Sequence, residues 1–227
     1  MTRPAGQHPR EWLQRFSTAE RVVHATVAVL MFGCLTTAFV LYNGSVSSGI
    51  DYRNVVVEIH VYCGYALPLP LLLGLISLAY RTDLRRLNRF HRADWKWLRS
   101  RQRHDGTIGV GKFNAGQKIN GALSSGAIVV LLMTGIVMYY PALTPLSWRA
   151  GATFAHDWFA LGLGLLVLGH IAFALRDPES RRGMRTGTVA RSWALTEHRS
   201  WAEEELEDPF GATGGGDHSD TAEGSTK

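Results

Sequence analysis

Four long apolar stretches dominate this 227-residue chain and constrain the class of fold that it can adopt. A helix needs about 20 apolar residues to cross a hydrocarbon core of roughly 30 Å. Each stretch is that long, and none has a lysine or arginine between its ends. The stretches are too long and too evenly apolar for amphipathic helices of a soluble domain. They predict an all-α, integral membrane four-helix bundle, with helices at about 22–42, 55–80, 119–140 and 152–175.

The basic residues predict the orientation of this bundle, because short cytoplasmic loops accumulate lysine and arginine. Eleven of these residues lie in the segment 81–118, four precede residue 22, and several follow residue 175. The two other connections, 43–54 and 141–151, hold one each. We therefore expect both termini to be cytoplasmic.

The same boundaries divide the chain into segments of different character. We expect a cytoplasmic N-terminal segment (1–21), a four-helix domain (22–175) with a basic cytoplasmic loop (81–118), and a basic cytoplasmic segment (176–200). The remaining tail (201–227) is acidic and glycine-rich, which predicts disorder. The first apolar stretch is longer than the apolar core of a signal peptide and lacks a small-residue cleavage site, so we expect it in the mature protein.

The net charge of +5 is concentrated at the predicted membrane edges. A net positive charge by itself is compatible with nucleic-acid binding, but basic residues at the membrane edges interact with lipid headgroups. We predict membrane lipid and no nucleic acid among the partners.

Four histidines lie inside the apolar stretches. His156 and His170 share one predicted helix, and their 14-residue separation corresponds to about 21 Å of rise and an angular offset of about 40°. One helix face therefore carries two imidazoles at two depths. With a cytoplasmic N-terminus, His24 lies at the inner depth of His170, and His60 lies at the outer depth of His156.

A single histidine in a membrane helix more often donates a hydrogen bond to another helix than ligates a metal. Four histidines at two shared depths favour another interpretation, since neutral imidazole is a good iron ligand. We predict two haem b groups, with His24 and His170 as iron ligands of the inner one and His60 and His156 as iron ligands of the outer one. The sequence has no C-x-x-C-H motif for covalent haem attachment. The other five histidines lie in polar segments and are expected to be solvated: His8, His91, His104, His198 and His218.

The segment GKFNAGQK (residues 111–118) lies where the basic loop enters the third apolar stretch. Asn114 and Gln117 bring amide groups to the depth of the inner histidine pair, and Gly116 permits close backbone approach. These groups are suited to hydrogen bonding a quinone carbonyl. The residues alone are equally compatible with Asn114 as a helix cap and Gly116 in the first turn.

Four features resemble the cytochrome b subunits, or gamma subunits, of membrane-bound formate dehydrogenases (cytochrome b556 type). That family lies within a broader group of bacterial di-haem cytochromes b that includes hydrogenase cytochrome subunits. The features are ERVVHA with His24, EIHVYCG with His60, GKFNAGQK, and the H-x13-H spacing of His156 and His170. The resemblance covers about residues 11–185, and GKFNAGQK is its most discriminating part.

The resemblance implies a quinone site at Asn114, Gly116 and Gln117, for menaquinone or ubiquinone, beside the inner haem. It also implies an iron–sulfur subunit on the outer side and a molybdenum or tungsten catalytic subunit as partners. The chain would then carry electrons to quinone without itself oxidising the substrate. The alternatives are the cytochrome b subunit of a nickel–iron hydrogenase or another quinone-linked oxidoreductase, and a haem-free membrane anchor.

Overall fold

Helices make up nearly all of the regular structure in the computed structural model, which describes residues 11–49, 51–142 and 144–207. Over these ranges the elements are, in chain order, β1 (Trp12–Gln14), α1 (Thr18–Tyr42), α2 (Gly44–Ser48), α3 (Arg53–Ala66), α4 (Pro68–Gly74), α5 (Leu78–Leu87), α6 (Arg92–Arg99), α7 (Ala115–Tyr139), α8 (Leu146–Arg176), α9 (Pro178–Thr186), β2 (Thr188–Ala190), α10 (Arg191–Glu197) and α11 (Arg199–Glu207).

Four helical segments of the described chain are long and apolar enough to cross a membrane: α1, α3 with α4, α7, and α8. Large apolar side chains cover their outer surfaces, and Phe39, Val129 and Leu165 are each at least 60% exposed. An apolar surface of this extent is stable against lipid and unfavourable in water. The prediction of an all-α membrane four-helix bundle is confirmed.

The four spans begin earlier than predicted, and polar caps start two of them, α1 and α7. Ser17 and Glu20 form a capping box at the start of α1, in which Glu20 Oε2 accepts a hydrogen bond from the Ser17 N–H (2.6 Å). Such a box satisfies the free N–H groups of the first turn, so a helix can begin outside the apolar stretch. Helix α8 begins six residues before the predicted residue 152, with Arg149 in its first turns. A long arginine side chain is compatible with a helix end at the headgroup level.

The predicted second helix, 55–80, is not one continuous helix. It breaks between Ala66 and Pro68 and again after Gly74, and residues 78–80 belong to α5. Pro68 cannot donate a backbone hydrogen bond, which interrupts the helical hydrogen bonds between α3 and α4, although Leu67 keeps helical dihedral angles. Helix α5 has its own start, where the Ser77 side chain accepts from the Tyr80 N–H. The membrane-crossing part is therefore residues 53–74.

The basic segment 81–118 is structured and packs against the start of α7. It contains most of α5 and all of α6. The Lys118 ammonium of α7 donates to Asp94 Oδ2 of α6 at 2.7 Å, and both side chains are buried. This ion pair joins the loop to the helix that follows it.

The two ends of the described chain meet in a small subdomain, which we call the clasp: β1, β2, α10 and α11. Strands β1 and β2 are antiparallel, with Leu13 opposite Val189. The clasp has its own apolar core, in which Trp201 is 1% exposed. Because the segments before α1 and after α8 pair directly, they lie on the same side of the bundle, as predicted.

The clasp corrects two expectations about polar segments. The predicted disordered tail, 201–227, begins instead with helix α11, which continues to Glu207; residues 208–227 lie outside the described residues. His198 was expected to be solvated, but its ring is 1% exposed. His91 and His104 are exposed as predicted, and His8 and His218 fall outside the described ranges.

His198 links the clasp to the segment that precedes α7. Its Nδ1 lies 2.7 Å from the carbonyl oxygen of Gly111, and its Nε2 lies 2.9 Å from Arg15 Nη2. A guanidinium can only donate, so Nε2 accepts and Nδ1 carries the proton. Burial and the nearby charge of Arg15 hold the pKa of His198 well below 6.5. The ring is therefore neutral in the folded clasp.

We predict that acid weakens the clasp through His198. Because the pKa of this ring is lowered on folding, its contribution to stability is complete above pH 6.5 and is lost as the pH falls below that value. Between pH 7.5 and 5.5 the wild type should lose about 1.4 kcal/mol more opening free energy than His198→Gln, which keeps both hydrogen bonds but does not titrate. Amide hydrogen exchange of clasp residues measures this difference.

The control is His91→Gln, a change at an exposed ring outside the clasp. It should lose as much stability on acidification as the wild type. Equal losses in the wild type and in His198→Gln would contradict the assignment.

Candidate haem and quinone sites

The structure brings the four membrane histidines together in two pairs. His24 of α1 faces His170 of α8, and His60 of α3 faces His156 of α8. In each pair the ring centroids lie 6.2 Å apart. Helix α8 contributes one ring to each pair, since its two histidines lie on nearly the same face. The predicted pairing is therefore present, whereas the role of these rings as iron ligands stays a prediction.

The distance between ring centroids distinguishes a direct hydrogen bond between two imidazoles from a metal ion that both rings bind. A direct N–H···N hydrogen bond would bring the centroids to about 5 Å. A metal ion about 2 Å from one nitrogen of each ring separates them by roughly 6 Å. Within the described residues, neither pair has a hydrogen bond between its two rings. The pairs therefore fit a shared metal better than a direct contact, and a porphyrin iron needs only two ligands from the protein.

The outer ring of His60 is held in one tautomer by helix α1. Its Nδ1 lies 2.9 Å from Thr37 Oγ1 and 3.2 Å from the carbonyl oxygen of Cys34. The Thr37 hydroxyl donates to the carbonyl of Gly33 (2.6 Å), so it can only accept from the ring. The proton is therefore on Nδ1, and the lone pair of Nε2 is left for a metal ion.

His156 is held in the same way by helix α7. Its Nδ1 lies 2.9 Å from Thr134 Oγ1, and the Thr134 hydroxyl donates to the carbonyl of Val130 (2.7 Å). Both outer rings thus have a threonine on a neighbouring helix that orients them. These threonines are missed by the sequence analysis, because each lies on a different helix from its histidine and has no periodic relation to it.

The inner rings of His24 and His170 make no hydrogen bond to other residues in the described part of the chain. Both are more exposed than the outer rings and face each other between α1 and α8. A nitrogen of each inner ring is therefore available to a ligand, but no residue in the described ranges fixes the orientation of these rings as Thr37 and Thr134 do for the outer pair.

A buried apolar layer separates the two histidine levels. Leu163 lies midway between His156 and His170 on α8 and is 3% exposed. It packs in a cluster with buried side chains from the other spans, Met31, Leu67 and Ala127. The layer keeps the two pairs apart and excludes water between them.

The amide groups of the GKFNAGQK segment form a capping box at the start of α7. Asn114 Oδ1 accepts from the Gln117 N–H (2.9 Å), and Gln117 Oε1 accepts from the Asn114 N–H (3.0 Å). Both oxygens are therefore engaged. The two side-chain NH₂ groups make no hydrogen bond within the described ranges, so they are available to a carbonyl acceptor.

Gly116 has a structural explanation in its packing against Trp97. A Cβ at Gly116 would lie 3.3 Å from the Trp97 ring, tighter than ordinary contact. The segment is also fixed from the clasp side, since the carbonyl of Lys112 accepts from Arg15 Nη2 at 3.1 Å. The arrangement holds the amides of Asn114 and Gln117 in place, and a role for Gly116 toward quinone stays a prediction.

Four membrane helices that hold imidazole pairs at two depths define the architecture of a membrane cytochrome b. The family model of prokaryotic cytochrome b561 matches residues 15–187 of this chain. The chain therefore belongs to the prokaryotic cytochrome b561 family, whose members are haem b proteins of electron transport. It is a multi-pass protein of the bacterial cytoplasmic membrane.

Curated relatives match part of the chain. The cytochrome b556(Fdn) subunit of nitrate-inducible formate dehydrogenase from Escherichia coli K12 is 33% identical over 98 residues, which are 42% of this chain and 45% of that protein. The cytochrome b556 subunit of formate dehydrogenase from Haemophilus influenzae is 34% identical over 99 residues, 42% of each protein. The matched region thus spans less than half of these relatives.

We predict that Thr37→Val and Thr134→Val alter the outer haem alone. Without the hydroxyl, each outer ring loses a partner that fixes its plane and tautomer, which should weaken haem retention at that site by about 10-fold. Haem quantification and electron paramagnetic resonance of the oxidised protein measure the effect.

Thr26→Val is the matched control, because the Thr26 hydroxyl also donates to a carbonyl one turn back (Val22 O, 2.9 Å) but contacts no membrane histidine. Its spectrum should match the wild type. An unchanged outer signal in both threonine variants would contradict the assigned tautomers.

Proposed function

We propose that this chain is the cytochrome b subunit of a formate dehydrogenase-type complex in the respiratory chain. It carries electrons from an iron–sulfur partner on the outer side, through two b haems, to quinone near the cytoplasmic side. The observation that carries the proposal is the pair of 6.2 Å imidazole contacts at two depths, one near each membrane face. The names of the matched relatives support the formate dehydrogenase branch.

In this proposal the four histidines would bind the haem iron. His60 and His156 would hold the outer haem, and His24 and His170 would hold the inner one. A bound haem b supplies one-electron redox chemistry. The protein contributes ring orientation through Thr37 and Thr134 at the outer level and a dry apolar layer between the levels.

Quinone would bind where α7 begins, at Asn114, Gly116 and Gln117. The free NH₂ groups of Asn114 and Gln117 are donors for the quinone carbonyl oxygens, on which negative charge develops during reduction. Because protons for the quinol come from the cytoplasm and the substrate is oxidised outside, turnover would build a membrane potential. Asn114 and Gln117 would thus form the polar end of the quinone site, held in position by the capping box.

The partners in this proposal are an iron–sulfur subunit and a molybdenum or tungsten catalytic subunit. The competing assignments are a nickel–iron hydrogenase cytochrome, another quinone-linked oxidoreductase, and a haem-free anchor. Affinity purification of the tagged chain from native membranes separates them. Molybdenum or tungsten with formate-dependent quinone reduction supports the proposal, nickel with hydrogen-dependent reduction supports the first competitor, and a colourless complex supports the anchor.

We predict that His156→Ala removes the outer haem and leaves the inner one. The inner haem would be bound by His24 and His170, which this substitution leaves intact, so the reduced α-band of the inner haem should persist. The measurement is a reduced-minus-oxidised spectrum with haem quantification, in which the haem content should halve. His104→Ala, at an exposed histidine, is the control, and a His156→Ala preparation that retains both bands would refute the assignment.

We predict that Asn114→Asp and Gln117→Glu slow quinone reduction without disturbing the helix start. Each change keeps the carbonyl-type oxygen of the capping box and replaces the NH₂ donor by an acceptor. Loss of one such hydrogen bond should lower kcat/KM for quinone by about 10-fold or more. Steady-state assays with a soluble quinone analogue give this ratio.

Asn88→Asp makes the same chemical change at an exposed residue of the cytoplasmic side, where the Asn88 amide donates to Leu84 O. It should leave quinone kinetics unchanged. Wild-type kcat/KM in both Asn114→Asp and Gln117→Glu would exclude these amides as quinone ligands.

A further inference from the structure

Three charged side chains are buried together between α1, α5 and the segment before α7. Glu20, Asp83 and Lys112 are each at most 10% exposed. The Lys112 ammonium forms an ion pair with Asp83 Oδ2 and lies 3.6 Å from Glu20 Oε1. Two carboxyl groups thus share one ammonium ion.

A neighbouring buried ion pair shows why the ratio of two carboxyl groups to one ammonium ion is unusual. Lys118 and Asp94 are equally buried, and there one lysine meets one carboxylate. A link between helices requires only such a one-to-one pair. The second carboxyl group at Lys112 adds a negative charge in a site of low polarity, which is unfavourable unless a proton neutralises it.

The arrangement of Glu20 and Asp83 allows the two carboxyl groups to hold that proton. Glu20 Oε2 accepts from the Ser17 N–H, which leaves Oε1 toward the cluster. Oε1 is buried and has no other donor among the described residues. Burial and the adjacent carboxyl group of Glu20 raise the pKa of Asp83 to about 7, although Lys112 opposes this rise. The remaining charge that acts on Asp83 is that of Arg15, the residue after β1.

The cluster lies between the cytoplasmic surface and the proposed quinone site. Glu20 is one helical turn before His24, and Lys112 is two residues before Asn114. Lys112 also lines a cavity of about 350 Å³ whose walls include the exposed Arg85 and Arg89. Lys112 therefore lies between this cavity and the two carboxyl groups.

We propose that Asp83, with Glu20 and Lys112, delivers protons from the cytoplasm to the quinone. Reduction of one quinone takes two electrons from the donor and two protons. In each proton transfer the O–H bond of the Asp83 carboxyl breaks and an O–H bond of the quinol forms. The carboxylate then takes up a proton that enters from the cytoplasm by the cavity, with a hydronium ion or a buffer acid as the proton donor. This inference rests on quinone reduction at Asn114 and Gln117.

The test uses the purified complex with haem reduced by its donor and then mixed with a soluble quinone analogue in a stopped-flow instrument. Asp83→Asn leaves Lys112 paired with Glu20, so the fold and the haem spectrum should be retained. Reoxidation by quinone should slow by about 100-fold, whereas reoxidation by ferricyanide, which needs no proton, should be unchanged.

Three further readouts separate proton delivery from a structural role. In the wild type the quinone-dependent rate should fall as the pH rises above 7, where Asp83 loses its proton, and Asp83→Asn should lack this decline. Inorganic phosphate, a small acid that the basic cavity can admit, should restore part of the rate in Asp83→Asn. Asp83→Glu should retain most of the activity.

Asp177→Asn is the matched control, since Asp177 is a partly buried cytoplasmic carboxylate near Arg15 and asparagine keeps its N-cap. It should reduce quinone at the wild-type rate. If Asp83→Asn does so too, or is slowed without phosphate rescue and with an unchanged pH profile, this inference is overturned. A wild-type complex that fails to reduce quinone would overturn the proposed function as well.

Discussion

The pairing of imidazole rings across helices is the interaction on which the rest of this architecture depends. Helix α8 presents His156 and His170 on one face, and the opposing rings come from α3 and α1. A polar ring in lipid is costly without a partner, so the ligand that we propose between the rings of each pair would fix the approach of two spans at one depth. The apolar layer around Leu163 then fills the space between the two levels. Capping, loop packing and the clasp all serve to hold these four spans in register.

The cytoplasmic end of the bundle is built very differently from its membrane part. There, buried polar contacts replace apolar packing: His198 holds the Gly111 carbonyl, Arg15 holds the Lys112 carbonyl, and Lys118 pairs with Asp94. Buried polar groups of this kind stabilise only when they are satisfied, and they then specify a single arrangement. All three contacts converge on the segment that begins α7. The protein thus positions Asn114 and Gln117 from both sides, which is what a site for a reacting carbonyl group requires.

The sequence predicted the four spans and the two histidine pairs because these depend on length, apolarity and helical period, which are local properties. It misplaced the starts of α1 and α7 because the caps Ser17 and Asn114 lie outside the apolar stretches. It extended the second span to residue 80, although the span ends at Gly74 and Ser77 caps a new helix. The clasp was beyond prediction: β1 and β2 are three residues each, lie at opposite ends of the chain, and show no periodic pattern. The buried His198 was missed for the same reason. Thr37 was missed because only the folded bundle brings it to His60.

The most direct test of the account is a redox titration of the purified chain with quantification of non-covalent haem. Two imidazole pairs at two depths predict two haem b per chain, reduced in two separate one-electron steps because the histidine environments differ between the levels. A preparation that binds one haem or none, or that keeps its full haem content when all four membrane histidines are replaced by alanine, would contradict the central claim.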